Sequence, residues 1–418
     1  MISKKELKRK QPSEPGAFNE FSHCLAKRPT PTLPVLHGNS VNENHLLLPK
    51  RTARKGTRHV GLPLALSSNN RSKGLRTKDQ VQFFVDDDDG HLNFDVGDIL
   101  EGYTLLGFLG KGSFGRVAKA RHIQTRIPVA LKIARNTVEC RESARSEIAI
   151  LKRLKQIDPW GKKLWVEMID NFELQGHTCI ALEKLGDSLY SFMKENRFQP
   201  YQLDQIRHIA YQICYSVKAL HDNRIIHGDL KPENICLESS DFTYGIRPTR
   251  QQTYRKPLYA AVRLIDFGCA IDFSDDRYSV LQTRAYRAPE MVCGLTWNYT
   301  IDVWSIGCII FELYTGRNLF PADDDDEHFE VMQEVLGPVP DPYRDTRFVK
   351  NHMLKSLPIR KKSCKPLKKC MHLSDKEHQE LFNLLGKMLN FNPEERISLC
   401  DALKHPFFLL LPDEDKLQ

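Results

Sequence analysis

The chain lacks the marks of secreted and membrane proteins. Its 11 cysteines include no C-x-x-C pair, the closest two being Cys364 and Cys370, and their number is odd. No stretch approaches 18 uninterrupted apolar residues, and no apolar run follows the charged residues near the N-terminus. We therefore expect reduced thiols in an intracellular compartment, with neither a membrane span nor a secretory signal.

The excess positive charge lies at one end of the chain. The 418 residues have a formal net charge of +8; residues 1–80 hold 16 Lys and Arg against 5 Asp and Glu, and residues 81–418 hold 45 against 48. A hydrophobic fraction of 41% is too high for a wholly disordered chain, and the part after the tail is long enough for a sizeable core. The sequence predicts a globular body with a basic arm.

The basic arm is predicted to be disordered, because it has few aromatic residues and no sustained period of 3.6 or 2. We assign residues 1–90 to this tail. Its basic clusters at residues 4–10 and 50–55 fit nuclear import signals or a nucleic-acid patch, and equally a solvated run of charge. Direct nucleic-acid binding by the tail stays open, although no aromatic residues interleave with the clusters.

Beyond the tail the hydrophobic pattern is first that of strands. Tyr103, Leu105 and Leu109 fall on one face of an extended segment, and residues 117–121 and 128–133 are further predicted strands. Glycines punctuate the first turn.

Helical periodicity follows the strands. Apolar residues at i, i+4 and i+7 predict a helix at residues 143–154, and helical patterns dominate from about residue 187. We therefore predict an α+β, bilobal fold over residues 91–413, with a small β-rich lobe at about 91–183 and a large α-helical lobe at about 187–413.

A glycine-rich motif lies between the first two strands. Residues 110–117 read G-K-G-S-F-G-R-V, and glycines let a tight hairpin bring backbone N–H groups against phosphates without obstruction by a Cβ atom. A Rossmann site would use the same glycine spacing. Here a second strand follows the glycines, which favours a phosphate-covering hairpin.

The next strand and helix supply a candidate ion pair. In V-A-L-K, alternation places Ala130 and Lys132 on the same face of the strand, where a small residue leaves room for a flat base and the lysine supplies a cation for its phosphates. Glu147, on the face of the predicted helix that carries Leu151, is placed to hold the ammonium. An ordinary surface lysine is the alternative.

Two acidic motifs follow. Residues 227–234 read H-G-D-L-K-P-E-N, and D-F-G begins at Asp266. Asp229 is a candidate to orient a hydroxyl and accept its proton, and Asn234 and Asp266 offer the hard oxygen ligands that suit magnesium on nucleotide phosphates. A-P-E, ending at Glu290, closes a segment of 25 residues that starts at Asp266.

These motifs, in this order, resemble those of a eukaryotic protein kinase over roughly residues 95–413. Lys231 is similar to the lysine of the serine/threonine pattern. The resemblance also implies two structural roles: Asp302 begins the D-V-W-S-I-G of the helix that anchors the catalytic loop, and Arg396 pairs with Glu290.

Further segments resemble the CDC-like, or LAMMER, kinases. They lie at residues 90–92, 97–100, 144–148, 238–262, 327–328, 336–338, 364–367 and 403–408. The nearest rival is the dual-specificity tyrosine-regulated group, whose activation segment carries Tyr-x-Tyr. This chain has Q-T-R-A-Y-R at residues 282–287, which is closer to the LAMMER form.

The resemblance implies ATP and magnesium as cofactors and assigns the site. The catalytic residues are Lys132, Glu147, Asp229 and Lys231, and the metal ligands are Asn234 and Asp266. The nucleotide-binding residues are Leu109, Gly110, Lys111, Gly112, Ser113, Phe114, Gly115, Arg116, Val117, Ala130, Lys132, Glu183, Leu185 and Cys236. Leu182 stands at the gatekeeper position.

The resemblance also implies partners and a location. The family phosphorylates Ser/Arg-rich splicing factors, often in the nucleus, so we expect a monomeric kinase acting on Ser or Thr of protein substrates, in the nucleus and also the cytoplasm. Tyrosine autophosphorylation remains open. The alternatives are a pseudokinase scaffold, which the intact motif residues disfavour, and a tyrosine-regulated relative with other substrates.

The acidic runs at residues 86–89 and 323–326 would suit Arg-rich peptides, or are solvated faces.

The chain departs from the family pattern at two places. The signature L-A-M-M-E-R is F-E-V-M-Q-E at residues 329–334, and the insertion that ends near Lys365 is shorter than usual. Gly228 stands where many kinases have an arginine that binds a phosphorylated activation loop. We therefore expect activity that does not depend on a loop phosphate held by residue 228.

Overall fold

The computed structural model describes residues 83–158, 164–247, 252–275, 281–340, 343 and 364–417. The predicted tail up to residue 82 and most of the insertion before Lys365 lie outside these residues. No helix among the described residues is both long and apolar enough to cross a bilayer.

Strands dominate the first part of the described chain and helices the second. The strands are β1 (Ile99–Leu100), β2 (Tyr103–Gly112), β3 (Gly115–His122), β4 (Pro128–Ala134), β5 (Met168–Leu174), β6 (His177–Glu183), β7 (Ile225–Ile226), β8 (Ile235–Leu237), β9 (Phe242–Arg247), β10 (Gln252–Pro257), β11 (Val262–Leu264) and β12 (Ile271–Asp272). The helices are α1 (Val138–Ile157), α2 (Leu189–Glu195), α3 (Leu203–Asp222), α4 (Pro289–Val292), α5 (Thr300–Thr315), α6 (Asp325–Leu336), α7 (Lys376–Met388) and α8 (Leu399–Ala402). The predicted α+β, two-lobed fold is confirmed.

The small lobe is one antiparallel sheet with a helix. Its six strands lie in the order β1-β2-β3-β4-β6-β5. Helix α1 begins after Thr137, whose side chain accepts the N–H of Cys140, and it buries the predicted apolar positions Ala144, Ile148 and Leu151. A capping threonine and one apolar face therefore fix this helix against the sheet.

The predicted face of Leu109 on β2 is wrong. Tyr103 and Leu105 are buried as expected, but Leu109 is 45% exposed. The pairing of β2 with β3 shifts register between Leu105 and Gly107 and again between Phe108 and Gly110. Each bulge adds a residue to β2 and breaks the simple alternation of sides.

The folded lobe begins before the predicted residue 91. The carboxylate of Asp86 lies 2.8 Å from Nε2 of the buried His177, and the N–H of Asn93 donates to the carbonyl of Val85 at 3.0 Å. Residues 83–90, which the sequence assigned to the tail, therefore pack on the small lobe. Single-sequence patterns missed this because the acidic run has no strand or helix period.

The large lobe is built around α5, in which every residue but Thr315 is buried. Helix α3 packs beside it and carries Arg207, which is 6% exposed. Its Nε donates to the carbonyl of Phe407 at 2.8 Å, and its Nη2 bonds the carboxylate of Glu377 at 2.5 Å. Arg207 thus joins α3 to α7 and to the segment after α8.

The insertion at residues 238–262 contains a hairpin, β9 paired with β10. Asn196, at the end of α2, holds the hairpin in place: its Oδ1 accepts the N–H of Arg255 at 2.8 Å and its Nδ2 donates to the carbonyl of Arg255 at 2.9 Å. The amide side chain thereby replaces a strand partner for one residue of β10.

Candidate functional site

The glycine-rich motif forms the hairpin between β2 and β3, as predicted. Gly112 pairs with Gly115 across it, and Ser113 and Phe114 form the tip. A Cβ atom on Gly115 would lie 2.1 Å from the carbonyl oxygen of Ile133. Only glycine permits this approach of β3 to β4, so the third glycine fixes the hairpin to the sheet.

Lys132 projects from β4 into a cluster of carboxylates. Its Nζ lies 2.9 Å and 2.8 Å from the two carboxylate oxygens of Glu147 and 2.7 Å from Oδ1 of Asp266. The Lys132 and Glu147 side chains are 17% and 3% exposed. The structure therefore brings together three of the predicted residues, from the strand, from α1 and from the D-F-G motif.

Electrostatics favour the charged forms of Lys132 and Asp266 in this cluster. Burial works to lower the pKa of Lys132, but the carboxylates of Glu147 and Asp266 outweigh it and raise that pKa above its usual value. The charge of Lys132 in turn lowers the pKa of Asp266, against the effect of burial. Burial raises the pKa of Glu147, and the charge of Lys132 opposes that rise. These shifts favour the charged forms of Lys132 and Asp266 in particular.

Asp229 lies in a second cluster with Lys231 and Thr283. Lys231 Nζ is 2.6 Å from Oδ2 of Asp229 and 2.9 Å from Oγ1 of Thr283. Oδ1 of Asp229 accepts the N–H of Thr283 at 2.9 Å and its hydroxyl at 2.8 Å. A carboxylate, an ammonium and a hydroxyl thus meet at one point on the loop between β7 and β8.

Asn234 connects the two clusters. Its Nδ2 donates to the carbonyl of Asp229 at 2.9 Å. The backbone carbonyl of Asn234 accepts the N–H of Ile265, next to Asp266, at 2.9 Å. With the amide nitrogen used, Oδ1 of Asn234 is the atom left to bind a cation. Together with the second carboxylate oxygen of Asp266 it forms a donor set that fits a hard divalent ion.

Asp302, near the start of α5, holds the loop between β7 and β8 in place. Its Oδ2 accepts the N–H of His227 at 2.9 Å and its Oδ1 accepts the N–H of Gly228 at 3.0 Å. Gly228 has φ +76°, and a Cβ atom there would lie 2.9 Å from the carbonyl oxygen of Cys269. The predicted anchoring role of Asp302 is confirmed. At residue 228, where many kinases have an arginine, the backbone conformation favours glycine.

The predicted adenine-side residues Glu183, Leu185 and Cys236 lie on β6, just after it, and on β8. The carboxylate of Glu183 accepts the N–H of Glu167 at 2.8 Å and bonds Arg263. Burial raises the pKa of the Cys236 thiol to about 12. The carbonyl of Leu237, beside Cys236, accepts the N–H of Gly186, beside Leu185, at 2.9 Å.

Gatekeeper position Leu182 is 8% exposed and lies directly opposite Ala130 in the sheet. Leu109, Lys111, Arg116 and Val117 lie on the two arms of the glycine-rich hairpin. The predicted nucleotide residues therefore come from β2, β3, β4, β6 and β8, from the tip between β2 and β3, and from the segment after β6.

Sequence reasoning missed two residues of the site. Thr283 was quoted only as part of a motif, yet it bonds both Asp229 and Lys231. Arg263, just after the hairpin insertion, bridges Glu183 on β6 and Glu238 at the start of the insertion. The sequence around Thr283 carried no signal, because its contact depends on how the activation segment folds back.

Carboxylates of both acidic runs form ion pairs with arginines of the same chain. Asp87 bonds Arg116, and Asp325 contacts both Arg284 and Arg287. Asp272, which the sequence placed in the activation segment, bonds Arg153 at 2.6 Å. Acidic side chains that already have basic partners are weaker candidates for binding an Arg-rich peptide than their sequence suggested.

The chain is similar to known protein kinases. The protein kinase domain model matches residues 103–408. The chain is 44% identical over 353 residues to the serine/threonine-protein kinase Doa of Drosophila melanogaster, covering 79% of this chain and 42% of Doa. It is 42% identical over 343 residues to the dual specificity protein kinase CLK2 of Homo sapiens, covering 79% and 68%. The chain therefore spans less than half of Doa.

A solved structure shows the same fold. The crystal structure of the kinase domain of PF14_0431 superposes with a TM-score of 0.69 at 29% sequence identity, and the match covers 77% of this chain and 100% of that one.

Proposed function

Because the chain belongs to the protein kinase family, and within it to the dual-specificity LAMMER kinases, we propose that it transfers the γ-phosphoryl group of ATP to Ser and Thr of protein substrates. One observation carries this proposal: Lys132 contacts Glu147 and Asp266 at once, at 2.8 Å and 2.7 Å. A lysine held in this way keeps its charge and position for nucleotide phosphates.

Each group of the site has a role in this proposal. Lys132, held by Glu147, binds phosphate oxygens of ATP; Asp229 orients the substrate hydroxyl and accepts its proton; Lys231 offsets negative charge on the transferring group. The contact of Lys231 with Asp229 at 2.6 Å keeps both at the point of transfer. Catalysis then comes mainly from positioning and charge neutralisation.

Family members use ATP with a divalent metal ion, and we propose magnesium for this chain. Asn234 and Asp266 would hold it through oxygen atoms, the ligands that magnesium prefers. When bound, the ion neutralises charge on the phosphates and fixes their orientation. The hydrogen bond from Asn234 to the Asp229 carbonyl, at 2.9 Å, orients the amide for this task.

The test is a transfer assay with purified full-length chain, ATP and an Arg/Ser-rich peptide, with and without magnesium. We expect phosphoserine in the peptide only with magnesium or a similar divalent ion. A well-folded preparation that binds nucleotide but transfers no phosphate to any of a broad set of peptides would contradict the proposal and favour a scaffold.

We propose that the substrates carry arginine near the phosphorylated residue. Glu233, four residues after Asp229, has a carboxylate oxygen, Oε2, that is buried without a hydrogen-bond partner among the described residues. Burial raises its pKa; a backbone hydrogen bond and the charge of Lys231 oppose the rise, and the charge of Asp229 adds to it. A cationic substrate side chain would relieve the cost of this unpaired carboxylate.

Arrayed peptides test this preference. We expect Arg-flanked serine to be phosphorylated faster than serine followed by proline, and Glu233→Gln to reduce the difference. Equal rates for the two peptide classes in the parent enzyme would contradict the preference while leaving the kinase activity intact. Splicing factors rich in Arg and Ser fit the proposed class.

Nuclear placement is a proposal that rests on the basic clusters at residues 4–10 and 50–55. Replacing the Lys and Arg of each cluster by Gln in a fluorescent fusion should shift the protein toward the cytoplasm. An unchanged distribution would exclude the clusters as import signals.

A further inference from the structure

An acidic turn lies against the small lobe just before the predicted domain. It comprises residues 86–91, and the N–H groups of Gly90 and Asp87 bond the carbonyls of Asp87 and His91 at 2.9 Å and 2.8 Å. The carbonyl of Gly90 accepts the N–H of Asn136 at 2.8 Å. The turn is thus tied to the segment between β4 and α1.

Asp87 is fixed within this turn. Its Oδ1 accepts the N–H groups of His91 at 2.8 Å and Asp89 at 3.1 Å. The bond from His91 is the main reason that the pKa of Asp87 is lowered, so the carboxylate stays ionised at neutral pH. The second oxygen, Oδ2, therefore has a set direction, toward the glycine-rich hairpin.

Two cations of that hairpin meet the carboxylate. Oδ2 of Asp87 lies 2.8 Å from Nη2 of Arg116 and 3.5 Å from Nζ of Lys111. Lys111 on β2 and Arg116 on β3 are direct partners across the hairpin, so their side chains leave the same face of the sheet. One carboxylate thereby joins both arms, immediately before the tip.

Arg116 is held from a second direction as well. Its Nη1 donates to the carbonyl of Leu92 and to Oδ1 of Asn93, each at 2.8 Å. The side chain is 19% exposed. The two terminal nitrogens of the guanidinium thus bond the acidic turn and the segment that follows it.

At the tip, Arg135 bonds the backbone: its N–H donates to the carbonyl of Phe114 at 2.9 Å and its Nη1 to the carbonyl of Ser113 at 3.3 Å. The β2 arm beside the tip is open. Added Cβ atoms on Gly110 and Gly112 would meet no atom within 4 Å in the described part of the chain, and Phe114 is 40% exposed. Ordering such a segment when a nucleotide binds costs conformational entropy. Contacts that restrain the arms beforehand reduce that cost.

We infer that Asp87 is a positioning residue for ATP: through Arg116 and Lys111 it holds the glycine-rich hairpin ready for the phosphates. The inference rests on the proposed kinase function. The acidic run then has a role within the small lobe, because the carboxylates of Asp86 and Asp87 contact residues of that lobe. Asp88, the exposed third member by sequence, makes no hydrogen bond to the hairpin in the described part of the chain and is the matched control.

The experiment compares Asp87→Asn with Asp88→Asn in the full-length chain, since each removes one charge from the same turn. For Asp87→Asn we expect the KM for ATP to rise about 3- to 10-fold, because the free-energy cost of restraining one or two side chains corresponds to that change in affinity. Its kcat and its KM for peptide should change less than about 2-fold. Asp88→Asn should match the parent enzyme, and Asp87→Glu should restore part of the affinity.

Hydrogen exchange separates positioning from general stability. Without nucleotide, the amides of residues 110–116 should exchange faster in Asp87→Asn than in Asp88→Asn, while α5 exchanges alike and the melting temperatures agree. Equal KM values for ATP in the two variants, or a lower one in Asp87→Asn, would overturn the inference. A parent enzyme that binds no ATP by calorimetry would instead defeat the proposed function.

Discussion

Arg396 and Glu290, 106 residues apart in the sequence, form a fully buried ion pair. Nη1 and Nη2 of the arginine lie 2.8 Å and 2.9 Å from the two carboxylate oxygens, and the side chains are 0% and 1% exposed. Nη1 also donates to the carbonyl of Thr300 at 2.8 Å. The pairing predicted from the sequence is confirmed, and it joins the end of the activation segment to the chain beyond α7.

Removing one partner of this pair should destabilise the large lobe strongly. Arg396→Ala leaves the Glu290 carboxylate buried without a counter-charge, so the free energy of unfolding should fall by about 3–5 kcal/mol. Chemical denaturation measures it. The control is Lys416→Ala, which breaks the pair with the exposed Asp413 and should change the free energy of unfolding far less. Similar losses in both variants would contradict the special weight of the buried pair.

Asp229→Asn should stop phosphoryl transfer without unfolding the protein. The amide keeps the size of the carboxylate but cannot accept the hydroxyl proton, so kcat should drop about 10²- to 10⁴-fold. Asp222→Asn, at an exposed partner of Lys218, should leave kcat unchanged. Retained turnover in a clean Asp229→Asn preparation would remove Asp229 from its proposed role.

Gly228→Ala should cost more stability than Gly294→Ala. Both glycines have positive φ, +76° and +63°, but only at Gly228 would the Cβ meet a backbone atom, the carbonyl oxygen of Cys269 at 2.9 Å. The shared cost of the conformation is about 1–2 kcal/mol, and the clash adds to it at Gly228 alone. Equal melting temperatures for the two variants would show that the loop moves aside freely.

Activity should survive removal of phosphate from the activation segment, because Gly228 has no side chain to bind it. Enzyme treated with phosphatase and freed of it should keep most of its kcat. Complete loss of turnover, restored only by phosphorylation of the segment, would contradict this expectation.

Glu312 should make stability depend on pH. Burial raises its pKa to about 7, opposed by the hydroxyl of Tyr286, which donates to it at 2.6 Å. A raised pKa means that its contribution is fully present below the ordinary value near 4.5 and is lost as pH rises through 7. From pH 5 to pH 8 Glu312→Gln should gain about 2 kcal/mol relative to the parent protein.

Denaturation curves at several pH values check this. The exposed Glu142→Gln on α1 is the control and should follow the parent at every pH. If Glu312→Gln also followed the parent, the buried carboxylate would have another source of charge stabilisation.

The sequence predicted the parts of the site that chemistry ties to short motifs. Lys132, Glu147, Asp229 and Asp266 follow from residue type and spacing, because phosphate binding and proton acceptance leave few choices of side chain. The face of Leu109 was wrong, since bulges are set by how β2 meets β3 and not by its own pattern.

Contacts between distant segments were beyond sequence reasoning. The bond from Asp87 to Arg116 spans 29 residues, and that from Arg263 to Glu183 spans 80. Each depends on the relative placement of elements after packing. A run of aspartates carries no period and no partner in its own neighbourhood, so its role appears only in the folded lobe.

The two bonds of Arg207 have a consequence for the order of folding. Its partner Phe407 lies 200 residues later in the chain, so α3 leaves the ribosome long before it can satisfy its buried guanidinium. Until then, packing the helix into the core would bury that charge without a partner, which opposes closure of the lobe. The large lobe should therefore close late in synthesis, as one cooperative step that waits for the final turns of the chain.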